Sequence, residues 1–373
     1  MTTIINGSSP SITFSDGSAQ TSATRPFLNR LINGNMTIDQ RNAGASVTIT
    51  SSNQYTLDRW QAYQTQASKF SVQQNAGSVT PPAGFTNYLG CTSLSAYSVT
   101  STDIFGIAQY IEGFNTADLA YGTANAKTTT LSFWVYSSLT GTFGGSIQNN
   151  AGNRTYPFSY TISSANTWEQ KSITITGDTT GTWVGATNGT GIRLLFSLGG
   201  GSTYSGTAGA WTGTSNIYTA TGATSVVGTN GATWYVTGVQ LEVGSTATSF
   251  DYRPYTTELQ LAQRYYFVVI SNSSGTKDIS QSYYYTSSQM GGNICFPVQM
   301  RTNPSLTSST GTNYYINYFN NGTDFFDVVV DGGAASLING SWYNNTQASG
   351  TAGMAGFTRS NNTSAFVAWS AEL

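Results

Sequence analysis

Residues 128–136 read TTTLSFWVY. β-Branched and aromatic side chains dominate this run, and such residues fit a pleated, half-buried surface. Side chains alternate between faces along a strand. Leu131, Phe133 and Val135 therefore point one way, Trp134 and Tyr136 the other. Runs of the same kind follow at 156–162 (YPFSYTI), 168–175 (WEQKSITI), 192–198 (IRLLFSL) and 234–243 (WYVTGVQLEV). Gly- and Asn-rich turns separate them at the spacing of a β-sandwich. Pro157 lacks an amide hydrogen, which assigns its run to a sheet edge or a strand start. The chain is read as all-β.

Upstream, residues 69–72 (KFSV) and 97–100 (YSVT) are further strand candidates. Residues 104–111 (IFGIAQYI) form the most helix-like or buried run of this half. A long loop rich in Gly, Thr and aromatic residues occupies 199–231; loops of that length are uncommon unless functional or disordered. Residues 256–266 (TTELQLAQRYY) predict a short helix after Pro254, capped by Thr256 or Thr257, with Glu258 in its first turn. Short β-like runs then recur to residue 370, with Asn321-Gly322 and Asp331-Gly332 as hairpin turns. Three regions result. An N-terminal arm spans 1–27, with one short strand at 11–14 before an Asp16-Gly17 turn. A central domain spans 28–255, and a smaller C-terminal β-domain spans 256–373.

Composition restricts function. The 373 residues include no histidine, and only 8% are charged, against roughly 25% in ordinary soluble proteins. Ser-His-Asp and Cys-His nucleophile systems are excluded. Hydrolysis by a carboxylate pair needs no histidine, and Glu112, Asp118 and Glu169 are the candidate acids. Nucleic-acid binding requires clustered Lys and Arg. Here 14 are scattered over a chain of net charge −2, so no nucleic-acid partner is expected. No apolar run approaches the roughly 18 residues of a membrane span, and the start MTTIINGSSP lacks a secretory signal pattern. Cys91 and Cys295 are expected as two buried free thiols.

Several segments resemble bacteriophage tail-fibre sequences. Residues 11–23 (SITFSDGSAQTSA) are similar to short elements near fibre N-termini. Residues 29–41 (NRLINGNMTIDQR) and 55–61 (YTLDRWQ) resemble the opening of a fibre domain. The stretches 111–145, 160–183, 196–211 and 234–266 are closely similar, in order. The likeness covers roughly residues 10–270, while 271–373 match only in general style. It implies a virion appendage whose central domain is a jelly-roll sandwich like those of carbohydrate-binding modules. It also implies a homotrimer attached to other tail or adaptor proteins through residues 1–27, with the receptor-binding end distal. Such modules often hold one structural calcium. No ligands for it are identifiable here, and no other cofactor is expected.

Glycan recognition uses aromatic faces together with a few placed polar groups. Trp183, Tyr204, Trp211 and Tyr218 in the sandwich loops are candidates, with Tyr315, Trp342 and Tyr343 in the C-terminal domain. Packing beneath their own loops, or against a sister chain, is the alternative use of the same rings. Tyr283, Tyr284, Tyr285, Tyr314 and Tyr318 extend the C-terminal set, and alternation turns half of each cluster outward. The expected function is non-enzymatic binding of host surface polysaccharide by a fibre subunit. The alternatives are a purely structural adaptor or head fibre, and a short tailspike hydrolase.

Overall fold

A computed structural model describes residues 27–271 and 276–373, together with the backbone of three short strands near the N-terminus. Two six-stranded sheets build the central domain. One runs Glu169–Ile175, Thr129–Ser137, Thr233–Val243, Leu89–Ser93, Phe70–Gln74, Val47–Thr48. The other runs Thr155–Ile162, Gly141–Gln148, Thr190–Gly200, Ile104–Glu112, Gln61–Gln64, Gln54–Tyr55. Leu131, Phe133 and Val135 enter the core between them, as alternation requires. Phe133 meets Tyr160 and Phe196 edge to face, each at 5.0 Å. The polar edge of Trp234 is satisfied within this core, where Nε1 donates to the Tyr160 hydroxyl at 3.0 Å. On the outside of the first sheet, Tyr136 stacks on Tyr235 at 5.3 Å. Gly238, at φ 61°, forms a bulge opposite residues 132–134. A Cβ there would strike the Phe85 ring.

Pro157 lies in the edge strand Thr155–Ile162. The run 104–111 is a fully paired strand, Ile104–Glu112, rather than a helix. Both its faces are covered, so apolar residues fill both phases and the period-2 signal is lost. Residues 97–100 form no strand, and the strand read at 69–72 is Phe70–Gln74.

The helix spans Tyr255–Gln263. Pro254 precedes it and no side chain caps it, so Thr256 and Thr257 lie within the first turn. Glu258 is buried there and pairs with Arg253 at 3.1 Å. Ala262 and Tyr265 pack on Ile32 and Ile38 of the central domain. The helix therefore sits against the sandwich and leads into the next domain.

Beyond the helix, Tyr266–Ile270 joins Val367–Ser370 and Ser305–Ser308 in a three-stranded sheet. A seven-stranded sheet runs Gly322–Phe326, Tyr315–Phe319, Ala355–Ser360, Asp278–Thr286, Gln289–Cys295, Asn339–Asn344, Val330–Asp331. The hairpin turn is Asn320-Asn321, one residue before the expected pair. Both residues have positive φ, as a two-residue hairpin of this kind needs.

A polar network ties the C-terminus to the sandwich. Glu372 accepts from Arg41 at 2.7 Å and from the buried Arg59. Arg264 pairs with Glu112 at 2.6 Å, and Tyr265 donates to the same carboxylate at 2.6 Å.

In the N-terminal arm the strand read at 11–14 is Ser11–Thr13. Ile4–Asn6, Ser11–Thr13 and Ala19–Gln20 pair antiparallel in a small sheet. The Asp16-Gly17 turn lies outside the described residues. Both cysteines are free, Cys91 buried and Cys295 exposed. The expectation that both are buried thus fails for Cys295, which alternation places on the outer face of its strand.

Candidate glycan-binding surface

Register fixes which side chains of the seven-stranded sheet face outward. Tyr318 opposes Phe357, and Phe357 opposes Gln281. Tyr283 opposes Gly291, which opposes Tyr343. Ser282, Tyr284, Tyr315, Phe326 and Trp342 carry the other phase and face the domain interior. The outer face thus collects Phe325, Tyr318, Phe357, Tyr283, Tyr285 and Tyr343. Among the described residues ten large apolar side chains are left exposed, and four of them, Tyr283, Tyr285, Phe325 and Phe357, stand on this face. Such a cluster of exposed rings marks an interaction surface more than scattered single ones do.

Two depressions shape it. The larger, about 880 Å³, is lined by Tyr318, Phe357, Gln281, Thr323 and the Asn320-Asn321 turn. Tyr318 and Phe357 are nearly parallel at 5.1 Å, with the Arg359 guanidinium 4.8 Å from the Phe357 centroid. The smaller, about 230 Å³, is a slot flanked by Tyr283 and Tyr343. Gly291 lies between these rings in register, so backbone forms the floor. A Cβ there would press on the Trp342 carbonyl. Gln289 and Ser341 supply polar groups at its rim. Arg359 is the cation of this face and is paired with Asp278. The arrangement offers ring faces and edges, amides and hydroxyls.

Of the sequence candidates, Tyr343 belongs to this face, while Tyr315 and Trp342 do not. Tyr315 is fully buried, stacks on Phe326 at 5.5 Å, and places its hydroxyl 2.9 Å from the Ser309 and Phe366 carbonyls. Trp342 is 2% exposed, and its Nε1 donates to Ser280 Oγ at 2.8 Å. Adjacent residues in a strand take opposite faces, so Trp342 and Tyr343 cannot serve one surface. Both buried rings are withdrawn as ligand contacts. Phe357, Phe325 and Gln281 were not singled out from sequence; the signal available was their alternation with buried partners.

The sandwich candidates fall into two separate places. Trp183 and Trp211 meet edge to face at 5.4 Å and both pack on Tyr121. Their indole nitrogens are engaged: Trp211 donates to the Thr176 carbonyl at 2.6 Å, and Trp183 to the Thr180 carbonyl at 3.2 Å. Trp183 also lines a cleft of about 280 Å³ with Tyr121. Tyr204 and Tyr218 meet at 5.6 Å on the outer side of the second sheet. The 199–231 loop carries them and is tied down there by Gln148 Nε2, which donates to the Ile217 carbonyl at 2.7 Å.

The three candidate acids are all ion-paired. Burial would raise Glu112, but hydrogen bonds from Arg264 and Tyr265 outweigh it and hold the carboxyl below its usual range. Arg30 holds Asp118 down, and Lys171 holds Glu169 down. Among the described residues no group of three or more carboxylates, cysteines or histidines is placed to hold a metal. Asp178 accepts five hydrogen bonds, from Arg154, Thr180 and Trp183, and Asp103 accepts four, from Thr65, Tyr97 and Thr100. Among the described residues no helix is long and apolar enough to cross a membrane.

No protein-family pattern matches the chain, and no curated protein matches it. Among solved structures it is similar to the enzymatically active domain of bacteriophage CBA120 tailspike protein 4. That match has 13% identity and a TM-score of 0.32, covering 59% of this chain and 22% of the tailspike. The chain thus spans about a fifth of that protein's length. It is also similar to the carbohydrate-binding module TmCBM61 in complex with β-1,4-galactotriose, at 12% identity and a TM-score of 0.29, covering 59% of this chain and 100% of the module. A family 11 carbohydrate-binding module from Clostridium thermocellum, in complex with a mixed-linked tetrasaccharide, matches at 11% identity and a TM-score of 0.29. It covers 54% of this chain and 98% of that one.

Proposed function

We propose that the chain is a non-enzymatic subunit of a phage fibre that binds host surface polysaccharide through the outer face of its seven-stranded sheet. The observation that carries this reading is the collection of exposed rings, interleaved with Gln281, Asn320, Asn321 and Ser341, on one open sheet face. Aromatic rings contact the C–H faces of sugars while amides and hydroxyls fix orientation. The ordered resemblance of residues 10–270 to fibre sequences supports the virion setting. Attachment through residues 1–27 and a homotrimeric state follow from that resemblance.

The three candidate acids do not suit general-acid work. A general acid needs a raised pKa, whereas Glu112, Asp118 and Glu169 are each held down by a cation. Three copies per fibre raise avidity without tight single sites.

The test combines three measurements on the full chain. Its mass in solution should be three times 39.6 kDa. It should bind host surface polysaccharide without shortening it. Tyr283→Ala and Tyr343→Ala should each weaken that binding about 10-fold, the scale of a lost aromatic anchor, and leave the mass unchanged. A fall in mass instead would assign this face to packing between copies. Loss of polymer length would make the chain a hydrolase.

A further inference from the structure

The second sandwich sheet carries on its outer face a cation that no carboxylate among the described residues balances. Arg193 lies in the strand Thr190–Gly200 between Ile192 and Leu194, which face the core. Its own side chain therefore points outward, beside Tyr110 of the neighbouring strand. The guanidinium carbon stands 5.1 Å from the Tyr110 ring centroid. Nη2 donates to Asn150 Oδ1 at 3.1 Å. Nη1 has no hydrogen bond within the described residues, and no carboxylate among them lies within ion-pair distance. Other guanidiniums behave differently. Seven are in ion pairs. Arg301 is filled by the carbonyls of Ala371, Asn188 and Glu372.

Tyr110 and Tyr218 pack on one outer cluster of this sheet, over Tyr63, Ala108 and Leu195. Tyr218 packs against Tyr63 at 5.5 Å and against Tyr204 at 5.6 Å. Burial raises the Tyr110 and Tyr218 phenols, while the Arg193 charge pulls both the other way. Both phenols stay protonated and able to donate at neutral pH. A guanidinium held over a ring, anchored on one nitrogen and open at the other, is prepared for a carboxylate approaching end-on.

We infer that the Arg193 shelf, with Tyr110 and Tyr218, is a second saccharide site, and that it selects acidic sugars by pairing the guanidinium with a hexuronate carboxylate. It is distinct in place and in chemistry from the sheet face assigned above, whose one cation is already paired.

The test is calorimetric titration of the full chain with a β-1,4-linked hexaglucuronate and with cellohexaose, which shares its backbone and linkage but lacks the carboxylates. The acidic hexamer should bind at least 10-fold more tightly. Arg193→Gln should abolish that preference and leave any cellohexaose binding unchanged. Arg193→Lys, which keeps the charge and loses the fork, should retain only part of it. Tyr343→Ala should leave binding of the acidic hexamer unchanged. Equal affinity of the native chain for both hexamers, or no binding of the acidic one, overturns the inference. So does an Arg193→Gln chain that binds the acid as the native chain does. If Tyr343→Ala removes acid binding and Arg193→Gln does not, the inference falls while the C-terminal face stands.

Discussion

Trp342 and Tyr343 are neighbours in one strand, and the structure assigns them opposite work. Trp342→Ala removes a ring that is 2% exposed, parallel to Phe326 at 6.1 Å, and hydrogen-bonded to Ser280. Truncating a buried Trp costs about 3–5 kcal/mol, because the cavity collapses only in part. Tyr343→Ala removes a half-exposed ring whose hydroxyl makes no hydrogen bond within the described residues, and its cost should stay near about 1 kcal/mol or below. For a unit of this size each kcal/mol moves the melting midpoint by about 4 °C. Trp342→Ala should therefore lower the midpoint by about 12–20 °C, and Tyr343→Ala by less than about 4 °C. Polysaccharide binding at a temperature where both variants remain folded should show the reverse order, with only Tyr343→Ala weakened. Differential scanning fluorimetry and a pull-down on host polysaccharide measure the two properties. A Tyr343→Ala chain as destabilised as Trp342→Ala would refute the assignment of faces. So would a stable Trp342→Ala chain that has lost binding.

Three further outcomes concern titration and the domain junction. Burial would raise Asp103, yet bonds from Thr100, Thr65 and Tyr97 hold it down to about 2. A folded value below the unfolded one contributes stability that is present above about pH 4 and lost as pH falls toward 2. Asp103→Asn should remove that dependence from melts taken between pH 2 and 5. Asp58 runs the other way. Burial raises it to about 6 against bonds and charge from Gln40 and Arg41, so its contribution is present in acid and lost as pH rises from about 4 to 6. Asp58→Asn should flatten the stability profile across that window, and an unchanged slope would exclude Asp58 as the titrating group. Finally, Glu372→Gln leaves Arg59 and Arg41 without their carboxylate. Removing one partner of a buried pair costs about 3–5 kcal/mol, which chemical denaturation of the full chain should register.

Strand patterning made the sandwich legible where one face is buried and the other is not. Residues 128–136 gave both position and phase, residues 234–243 gave position, and Pro157 gave an edge. Patterning failed at 104–111, where the loop bearing Tyr218 covers the outer side of the sheet and makes both phases apolar. It failed again at the helix start, because Glu258 is held by Arg253 from a buried position and no hydroxyl cap is used. For the site, the tyrosine-rich strands told that half of the rings face out without telling which half. Phase is set by what lies beneath the sheet, and Phe326, Tyr284 and Met290 come from three different strands. Trp183 and Trp211 illustrate the same limit. Their loops bring them onto Tyr121, a contact between residues some 60 and 90 positions apart that no local pattern encodes.

The scarcity of charge acquires a meaning from where the charges sit. Nine cations among the described residues are in ion pairs. Several of those pairs are at least partly buried at the junction between the domains, where Arg59, Arg41, Arg253 and Arg264 meet Glu372, Glu258 and Glu112. A buried pair holds geometry well, since breaking it strands a charge in a poor solvent, but it adds little net stability over apolar packing. Placing charges there fixes how the C-terminal domain is carried on the sandwich, and it leaves the outward sheet face with aromatic rings, amides and hydroxyls. Contacts made by such a face depend weakly on ionic strength, because no mobile counterions need to be displaced. Rigid charge is used to hold the domains, and neutral polar groups are left on the outward face. Arg193 departs from the pattern, which is why an unpaired guanidinium is informative in this chain when it would pass unnoticed in a charge-rich one.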